Sequence, residues 1–462
     1  MGRGALLRWA RAAFLFYLLL RAGTAAVASG RAFAVSRGYT GPCWQGGWAR
    51  LRSPAALHAG PAIGAGSLQQ QVDPAEDEEE WRRLLGAGNS EAAARNLEGA
   101  LEKYEAARRI LEVTGQGGTA SAATLLVNIG VTHAELGAFA QALEEYTAAR
   151  LIFEERNLLA TKKGARLLMN CAIARASLGD FSEAIEDFRR ARGVYEEEGL
   201  LGSKEGVGLL VRMGDALVEE ELFGEALKEY ESARAILQSK GALASKQGAE
   251  LLENMGDAHF DDGDSDAAIT DYSSACQILE DKKKLETKRG VKLLSKLGDA
   301  HVEQGNFEEA LNAYNMAQRA LEARGALCGL EGAGLLANMG VAHAELGEAE
   351  EALEAMESAK ALLKKEEGMP GESGALLSTR EGISLLTNIG VMRLDRGDAD
   401  VALETLEAAK NALNALEERD REQEGGGLES EEVVKLLAGL GAARLEAGLP
   451  FEAAVEAFAG AR

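Results

Sequence analysis

An alanine-anchored phrase, Ala-Leu/Ile-x-x-(usually aromatic)-x-x-Ala, recurs along this chain at an interval of 42 residues. Its first alanine falls on seven evenly spaced positions, which are Ala100, Ala142, Ala184, Ala226, Ala268, Ala310 and Ala352. Two weaker copies follow at Ala402 and Ala454, after spacings of 50 and 52 residues. A repeat of this length is typical of stacked supersecondary units, because one unit cannot bury its apolar face alone.

Each unit is predicted to contain two helices. Four hydroxyl residues stand just before an apolar-periodic run, where an N-cap is expected; they are Thr161, Ser203, Ser245 and Thr287. The second helix is predicted to begin at a capping box, such as Asn306 with Glu309. Asp180 with Glu183 gives the same pattern. Residues that tolerate a left-handed C-terminal cap follow the second helices, and they are Gly115, Asn157, Gly199, Gly241 and Gly325.

A glycine recurs inside the first helix of the unit, although it costs about 1 kcal/mol relative to alanine there. We expect Gly298 and Ala310 to let the two helix backbones approach closely, with Leu297 and Tyr314 filling the flanks. The predicted fold is all-α: a right-handed α-solenoid of about nine helical hairpins, spanning residues 79–462.

The repeated motif resembles a known family. Leu-Gly, followed by Ala-x3-aromatic and a further Ala, is the pattern of the tetratricopeptide repeat (TPR), and here it is Leu297-Gly298, Ala310-x3-Tyr314 and Ala317. The unit has 42 rather than 34 residues and lacks the closing proline, in which it is similar to the repeats of kinesin light chains. The resemblance covers roughly residues 84–462. It implies a protein-binding scaffold whose first helices line a concave groove.

Polar residues recur on the face that this resemblance assigns to the groove. Asp299 and Glu303 are spaced i, i+4 and therefore share one side of the helix, and the same spacing occurs twice more. The candidate groove residues are Asn128, Asn170, Arg212, Asp215, Glu219, Asn254, Asp257, Asp261, Lys296, Asp299, Glu303, Asn338 and Asn388. We predict that the amides bond an extended peptide backbone while the carboxylates select basic side chains, around residues 212–303. The alternative is a solvated acidic face that keeps the protein soluble.

The resemblance also offers a clamp for a terminal carboxylate, part of which Asn254, Lys292 and Lys296 could supply. Asp215 stands where that clamp needs an amide, and its charge would repel a carboxylate. We therefore do not expect this role.

The tetrapeptide Gly298-Asp299-Ala300-His301 looks like part of a metal site. Residues i and i+2 of a helix point about 200° apart, so Asp299 and His301 cannot chelate one ion. His133, His259 and His343 occupy the register of His301 and are expected to pack between helices. The sequence has no phosphate loop, GxSxG, HExxH or calcium loop. We predict no enzyme activity, no cofactor and no metal.

The charge balance restricts the partners. The chain holds 74 acidic and 50 basic residues, for a net charge of −24, whereas nucleic-acid binding needs a basic surface. We predict a protein or peptide partner with a basic segment. The sequence ends within the last predicted helix without a polar capping helix, which favours a truncated array or self-association through that end.

The first 78 residues are expected to be a targeting region. Residues 1–28 are signal-peptide-like, with an apolar core of nine residues, Ala12–Leu20, too short alone to span a bilayer. Residues 29–78 are transit-peptide-like, and residues 1–72 hold eight arginines but no lysine or acid. This pairing resembles the bipartite presequences of plastids, and no membrane span is expected after processing. Mitochondrial import, secretion and an uncleaved membrane anchor are the alternatives.

Three functions are consistent with these features. The first is a non-catalytic scaffold that binds a basic peptide in the acidic, asparagine-lined groove. The second is an assembly factor for a membrane complex inside an organelle, acting through the same groove. The third is a cytosolic cargo adaptor similar to kinesin light chains, which would need an N-terminal heptad coiled coil that this sequence lacks.

A reporter fusion tests the predicted targeting region. Residues 1–72 fused to a fluorescent protein should direct it into a plastid, and deleting residues 1–28 should leave it in the cytosol, because the signal-like core would be missing. Fluorescence microscopy with organelle markers gives the answer. A fusion with all of residues 1–72 that stays in the cytosol would contradict the prediction and favour the cytosolic cargo adaptor.

Overall fold

The computed structural model describes residues 74–366, 377, 379–423 and 430–460. Eighteen α-helices form the regular structure of these residues. In chain order they are α1 (Pro74–Ala93), α2 (Leu97–Val113), α3 (Ala120–Glu135), α4 (Phe139–Glu155), α5 (Lys162–Leu178), α6 (Phe181–Glu197), α7 (Lys204–Glu219), α8 (Phe223–Ser239), α9 (Lys246–Asp261), α10 (Ser265–Asp281), α11 (Lys288–Glu303), α12 (Phe307–Ala323), α13 (Gly329–Glu345), α14 (Ala349–Glu366), α15 (Arg380–Asp395), α16 (Ala399–Gln423), α17 (Ser430–Glu446) and α18 (Phe451–Gly460). The predicted signal-like segment and residues 29–73 of the transit-peptide-like segment lie outside the described residues.

The helices alternate between a first helix (odd numbers) and a second helix (even numbers) of each repeat, which confirms the predicted all-α stack of hairpins. They belong to two compact units. The N-terminal unit, 41–262, holds α1–α9, and the C-terminal unit, from residue 263 onward, holds α10–α18. Within each unit, successive helices pack together and neighbouring first helices also meet, as α5 meets α7 and α11 meets α13.

The predicted N-caps of the first helices are confirmed. Each hydroxyl oxygen accepts a hydrogen bond from the backbone N–H three residues on, as Ser203 does from Gly206 at 3.0 Å. The same bond forms at Thr161, Ser245 and Thr287. Each of these bonds satisfies one of the amide groups that a helix leaves unpaired at its start.

The predicted capping boxes of the second helices are wrong. Neither Asn306 nor Asp180 bonds a backbone N–H of its helix through its side chain. At these positions the backbone ψ is 68° and 64°, whereas the hydroxyl caps are extended, with ψ near 160° at Thr161. The Asn306 amide donates instead to Gln304.

The left-handed residues after the second helices are confirmed. The φ angles at Gly115, Asn157, Gly199, Gly241 and Gly325 are 70°, 55°, 63°, 62° and 62°. Lys283 occupies the same place after α10 with a φ of 55°. A lysine in this conformation is unusual, because its Cβ crowds the backbone there.

The recurrent helix glycine has a different role from the one predicted. A Cβ added to Gly298 would lie 2.3 Å from Cε1 of Tyr314, and one added to Gly214 would lie 2.3 Å from the same atom of Tyr230. The glycine therefore accommodates the face of an aromatic ring from the second helix. Tyr314 is 1% exposed and Ala310 is fully buried, so the ring fills the space between the two helices.

Two glycine-to-alanine variants in the C-terminal unit separate ring packing from helix propensity. Gly298→Ala should lower the thermal midpoint, because displacing the Tyr314 ring costs about 1–3 kcal/mol. Gly334→Ala should raise it, since nothing lies within 4 Å of the added Cβ and alanine gains up to about 1 kcal/mol in a helix. Calorimetry of both variants checks the signs. A rise in the Gly298→Ala variant would contradict the ring-packing role.

Candidate functional site

Asp299 lies in a polar network that joins two repeats. Its Oδ1 accepts a hydrogen bond from the Tyr314 hydroxyl of α12 at 2.6 Å and a second one from Asn338 Nδ2 of α13 at 2.8 Å. The tyrosine belongs to the same repeat and the asparagine to the next one. The carboxylate therefore connects its own hairpin to the following hairpin.

The same network occurs in the N-terminal unit. Asp215 accepts from the Tyr230 hydroxyl at 2.7 Å and from Asn254 Nδ2 at 2.8 Å. In the first repeat the acceptor is Asn89, which takes bonds from Tyr104 at 2.8 Å and Asn128 at 3.1 Å. An amide oxygen can thus replace the carboxylate without loss of either bond.

This network changes the role of five predicted groove residues. Asp215, Asp299, Asn128, Asn254 and Asn338 are committed to bonds between repeats, although the sequence predicted them to bind a peptide. Other repeats carry an apolar residue at the acceptor position, as in Val131, Ile173, Val341 and Val391. The hydrogen-bond acceptor at this position is thus present in some repeats only.

Burial alters the acidity of the two carboxylates. It raises the pKa of Asp215 and of Asp299 to about 6, although the hydrogen bonds from tyrosine and asparagine act in the opposite direction. Nearby Arg212 and Lys296 also favour the charged forms. The folded chain consequently holds these two protons more tightly than an unfolded chain does.

The remaining predicted groove residues differ in accessibility. Arg212, Glu219, Asp261 and Glu303 are exposed, while Asn170, Asp257 and Lys296 are half-buried. Asn388 is buried and accepts a hydrogen bond from Lys435 Nζ at 2.7 Å. The exposed carboxylates are therefore the candidate residues that a partner can reach.

Glu219, Asp261 and Glu303 belong to a larger set that the sequence reasoning missed. An acid is the final residue of seven first helices, and all seven are exposed. We call them the acidic row: Glu135, Glu219 and Asp261 in the N-terminal unit, and Glu303, Glu345, Asp395 and Glu446 in the C-terminal unit. The signal was the 42-residue interval, which leads from Glu303 directly to Glu345.

A second ladder of charges, also missed, joins the second helices of the N-terminal unit. Arg108 pairs with Glu145 at 2.9 Å, and Arg192 pairs with Glu229 at 2.8 Å. Between them, Arg150 pairs with Asp187, which is 2% exposed. Asp187 and Glu229 are buried and Glu145 is half-buried, and all three are paired, so they stabilise the stack rather than face a partner.

The described histidines form no cluster of metal ligands. His343 Nδ1 lies 2.6 Å from Glu348 Oε2, and His301 is half-buried, with a pKa lowered by that burial. In the part of the chain that the structure describes, no group of three histidine, cysteine or acidic side chains could hold a metal ion. None of the described helices is long and apolar enough to cross a membrane.

The raised pKa values predict a pH dependence of stability. A carboxyl group whose pKa is raised on folding stabilises the fold below its unfolded pKa, and that contribution is lost as the pH rises through about 6. Asp215→Asn with Asp299→Asn should remove this loss of stability, which is up to about 3 kcal/mol per site between pH 4 and pH 7.5, because an amide does not titrate. The fold should be kept, since Asn89 shows that an amide accepts both hydrogen bonds.

Thermal midpoints at several pH values measure this dependence. The control is Glu308→Gln with Glu354→Gln, which removes two exposed acids of the C-terminal unit and should preserve the wild-type pH profile. Identical profiles for the wild type and the Asp215→Asn/Asp299→Asn variant would contradict the role given to these carboxylates.

Comparisons with known proteins place part of this chain in a family. Residues 121–197 match the tetratricopeptide repeat family model. No curated protein matches the sequence.

Several solved structures are similar in fold. BtubC (BKLC) from P. vanneervenii is 17% identical over 53% of this chain and 92% of its own, with a TM-score of 0.41. Kinesin light chain TPR-like repeats from Podosopora anserina are 14% identical over 45% of this chain and 98% of their own, with a TM-score of 0.41. The quorum sensor NprR from B. thuringiensis is 14% identical over 75% and 90%, with a TM-score of 0.46. The family model covers residues 121–197, and the same 42-residue unit continues on both sides of them.

Proposed function

We propose that this protein is an interaction scaffold that binds a basic segment of a partner protein through its acidic row. The observation that carries the proposal is the exposure of these acids at the ends of the first helices. Glu303 and Glu345 end α11 and α13, two first helices that meet in the C-terminal unit. Neither carboxylate forms an ion pair or a hydrogen bond with another described residue.

The position of the acidic row opposes helix stability. The C-terminal end of a helix carries a partial negative charge, so an acid there is unfavourable by about 0.3–1 kcal/mol. An acid at the start of the helix would keep the surface equally polar without that cost. Solubility alone therefore does not explain why Glu135, Glu219, Glu303 and Glu345 all stand at the last residue. A cationic partner would offset the cost.

The neighbouring network does not use Glu303. Tyr314 and Asn338 hold Asp299 in place, and Glu303 lies one helical turn further on, exposed. The carboxylates that stack the repeats are thus separate from those that a partner can reach. A lysine or arginine contacting Glu303 would leave the bonds between repeats intact.

The cellular setting is a separate proposal. We infer an organellar assembly role rather than a cytosolic adaptor role from the acid-free, arginine-containing residues 1–72. The reporter fusion described above tests it, and its outcome leaves the binding chemistry of the acidic row unchanged.

Charge reversal in the acidic row tests the proposed binding. Glu303→Lys with Glu345→Lys should weaken the binding of fluorescent lysine-rich 12-residue peptides at least tenfold, because attraction becomes repulsion. For the wild type, affinity should rise with the number of lysines in the peptide and fall as salt is raised from 50 to 500 mM. Fluorescence polarisation measures all three effects.

The control variant is Glu308→Lys with Glu354→Lys, which changes the net charge equally at exposed positions of α12 and α14. It should bind the peptides almost as tightly as the wild type. An equal loss in both variants would mean that only total charge matters. That result, or an affinity independent of lysine number, would overturn the proposal.

A further inference from the structure

One short segment of this acidic protein is strongly basic. Residues 282–296, the turn before α11 and most of α11, hold seven basic side chains and one acid. The equivalent residues of the next repeat, 324–338, hold one basic and one acidic side chain, and those of the preceding repeat, 240–254, hold two of each. The hairpin fold therefore does not require this charge.

Five lysines of the segment form an exposed surface, which we call the basic patch: Lys282, Lys283, Lys284, Lys288 and Lys292. None of the five side-chain ammonium groups donates a hydrogen bond or forms an ion pair with another residue that the structure describes. The single acid within the segment, Glu286, is exposed and forms no ion pair with them. The charge of the patch is thus uncompensated within the described part of the chain.

The basic patch is placed against local stability. Lys288 is the first residue of α11, and no acid stands in the first turn of that helix, although the positive end of the helix dipole favours acids there. Lys283 has the left-handed backbone that glycine adopts at the equivalent Gly241 and Gly325. A chain optimised only to fold would carry glycine at that turn and an acid in the first turn.

One lysine of the basic patch, Lys292, lies on the same face of α11 as Glu303 of the acidic row. Lys292 and Glu303 are eleven residues apart, which puts them within about 20° of each other around the helix and about 16 Å apart along its axis. Lys288 lies about 22 Å from Glu303 by the same measure. An extended peptide rises about 3.3 Å per residue, so five to seven residues span this distance.

We propose that the partner segment is bipolar, with acidic residues at one end that contact the basic patch and basic residues at the other end that contact the acidic row. The two charged ends are separated by five to seven residues. This inference rests on the proposed function and adds to it the polarity and length of the bound segment. A polyanion such as nucleic acid fits this face poorly, because Glu303 and Glu345 are exposed beyond the patch.

Four synthetic peptides of equal length test the inference by fluorescence polarisation with the full chain. The bipolar peptide carries three glutamates, six neutral residues and three lysines. The second peptide replaces the glutamates with serine, the third replaces the lysines with serine, and the fourth places the two charged blocks side by side. The bipolar peptide should bind at least tenfold more tightly than each of the others.

Two double variants test whether the tighter binding of the bipolar peptide depends on the basic patch. Lys288→Glu with Lys292→Glu should abolish the tenfold advantage over the serine-for-glutamate peptide while leaving binding of the latter unchanged. The matched control, Lys364→Glu with Lys410→Glu, makes the same charge change on α14 and α16 and should keep the advantage. An advantage that persists in the Lys288→Glu/Lys292→Glu variant, or disappears equally in the control, would overturn the assignment.

The failures of the two proposals differ. Equal binding of the bipolar and serine-for-glutamate peptides by the wild type would overturn the bipolar partner and leave the acidic row as a binding surface. Absence of binding for all three lysine-containing peptides would overturn the proposed function and this inference together. Tight binding of an unstructured single-stranded DNA that Lys288→Glu with Lys292→Glu abolishes would also overturn the inference.

Discussion

The contact of a tyrosine ring with a glycine inside each of several hairpins determines much else in this structure. The Tyr314 ring lies so close to Gly298 that no Cβ fits between them. The buried ring brings its hydroxyl group into the stack, and a buried hydroxyl needs an acceptor. Asp299 is that acceptor, and its oxygen also takes a bond from Asn338 of the following repeat. A packing requirement within one hairpin thus becomes a polar link between two hairpins.

That link separates structural from accessible acids on the same helix face. Asp299 and Glu303 share a side of α11, as their i, i+4 spacing predicts, but only Asp299 lies beside the tyrosine. Glu303, at the end of the helix, has no such partner and remains exposed. What a partner protein can contact is therefore set by which carboxylates the tyrosines leave unused. The network at Asn89, Asp215 and Asp299 removes one acceptor position per repeat from that surface.

The 42-residue interval was enough to predict the helical stack, the hydroxyl N-caps and the left-handed turns, because each depends on local sequence. The role of the aspartates was harder to predict, since it depends on a tyrosine fifteen residues later and an asparagine 39 residues later. A partial signal was present: Val341 and Val391 replace the aspartate in repeats where Met356 and Leu406 replace the tyrosine, although Val131 stands at the acceptor position of the repeat that holds Tyr146. The capping box at Asn306 failed for a different reason, because the side-chain amide of Asn306 donates to Gln304 and its oxygen bonds no N–H of the helix start.

The charges at the ends of the first helices oppose the helix dipole. A helix stabilised by its own charges begins with acids and ends with bases, whereas α11 begins with Lys288 and ends with Glu303. The acidic ends recur in both units, whereas a cluster of seven basic side chains with one acid occurs only in residues 282–296, so the two features vary independently along the chain. Each opposes the helix dipole, and neither is compensated within the described residues at Lys288 or Glu303. Charges that weaken their own helix and lie exposed on one face are best explained by what binds to that face.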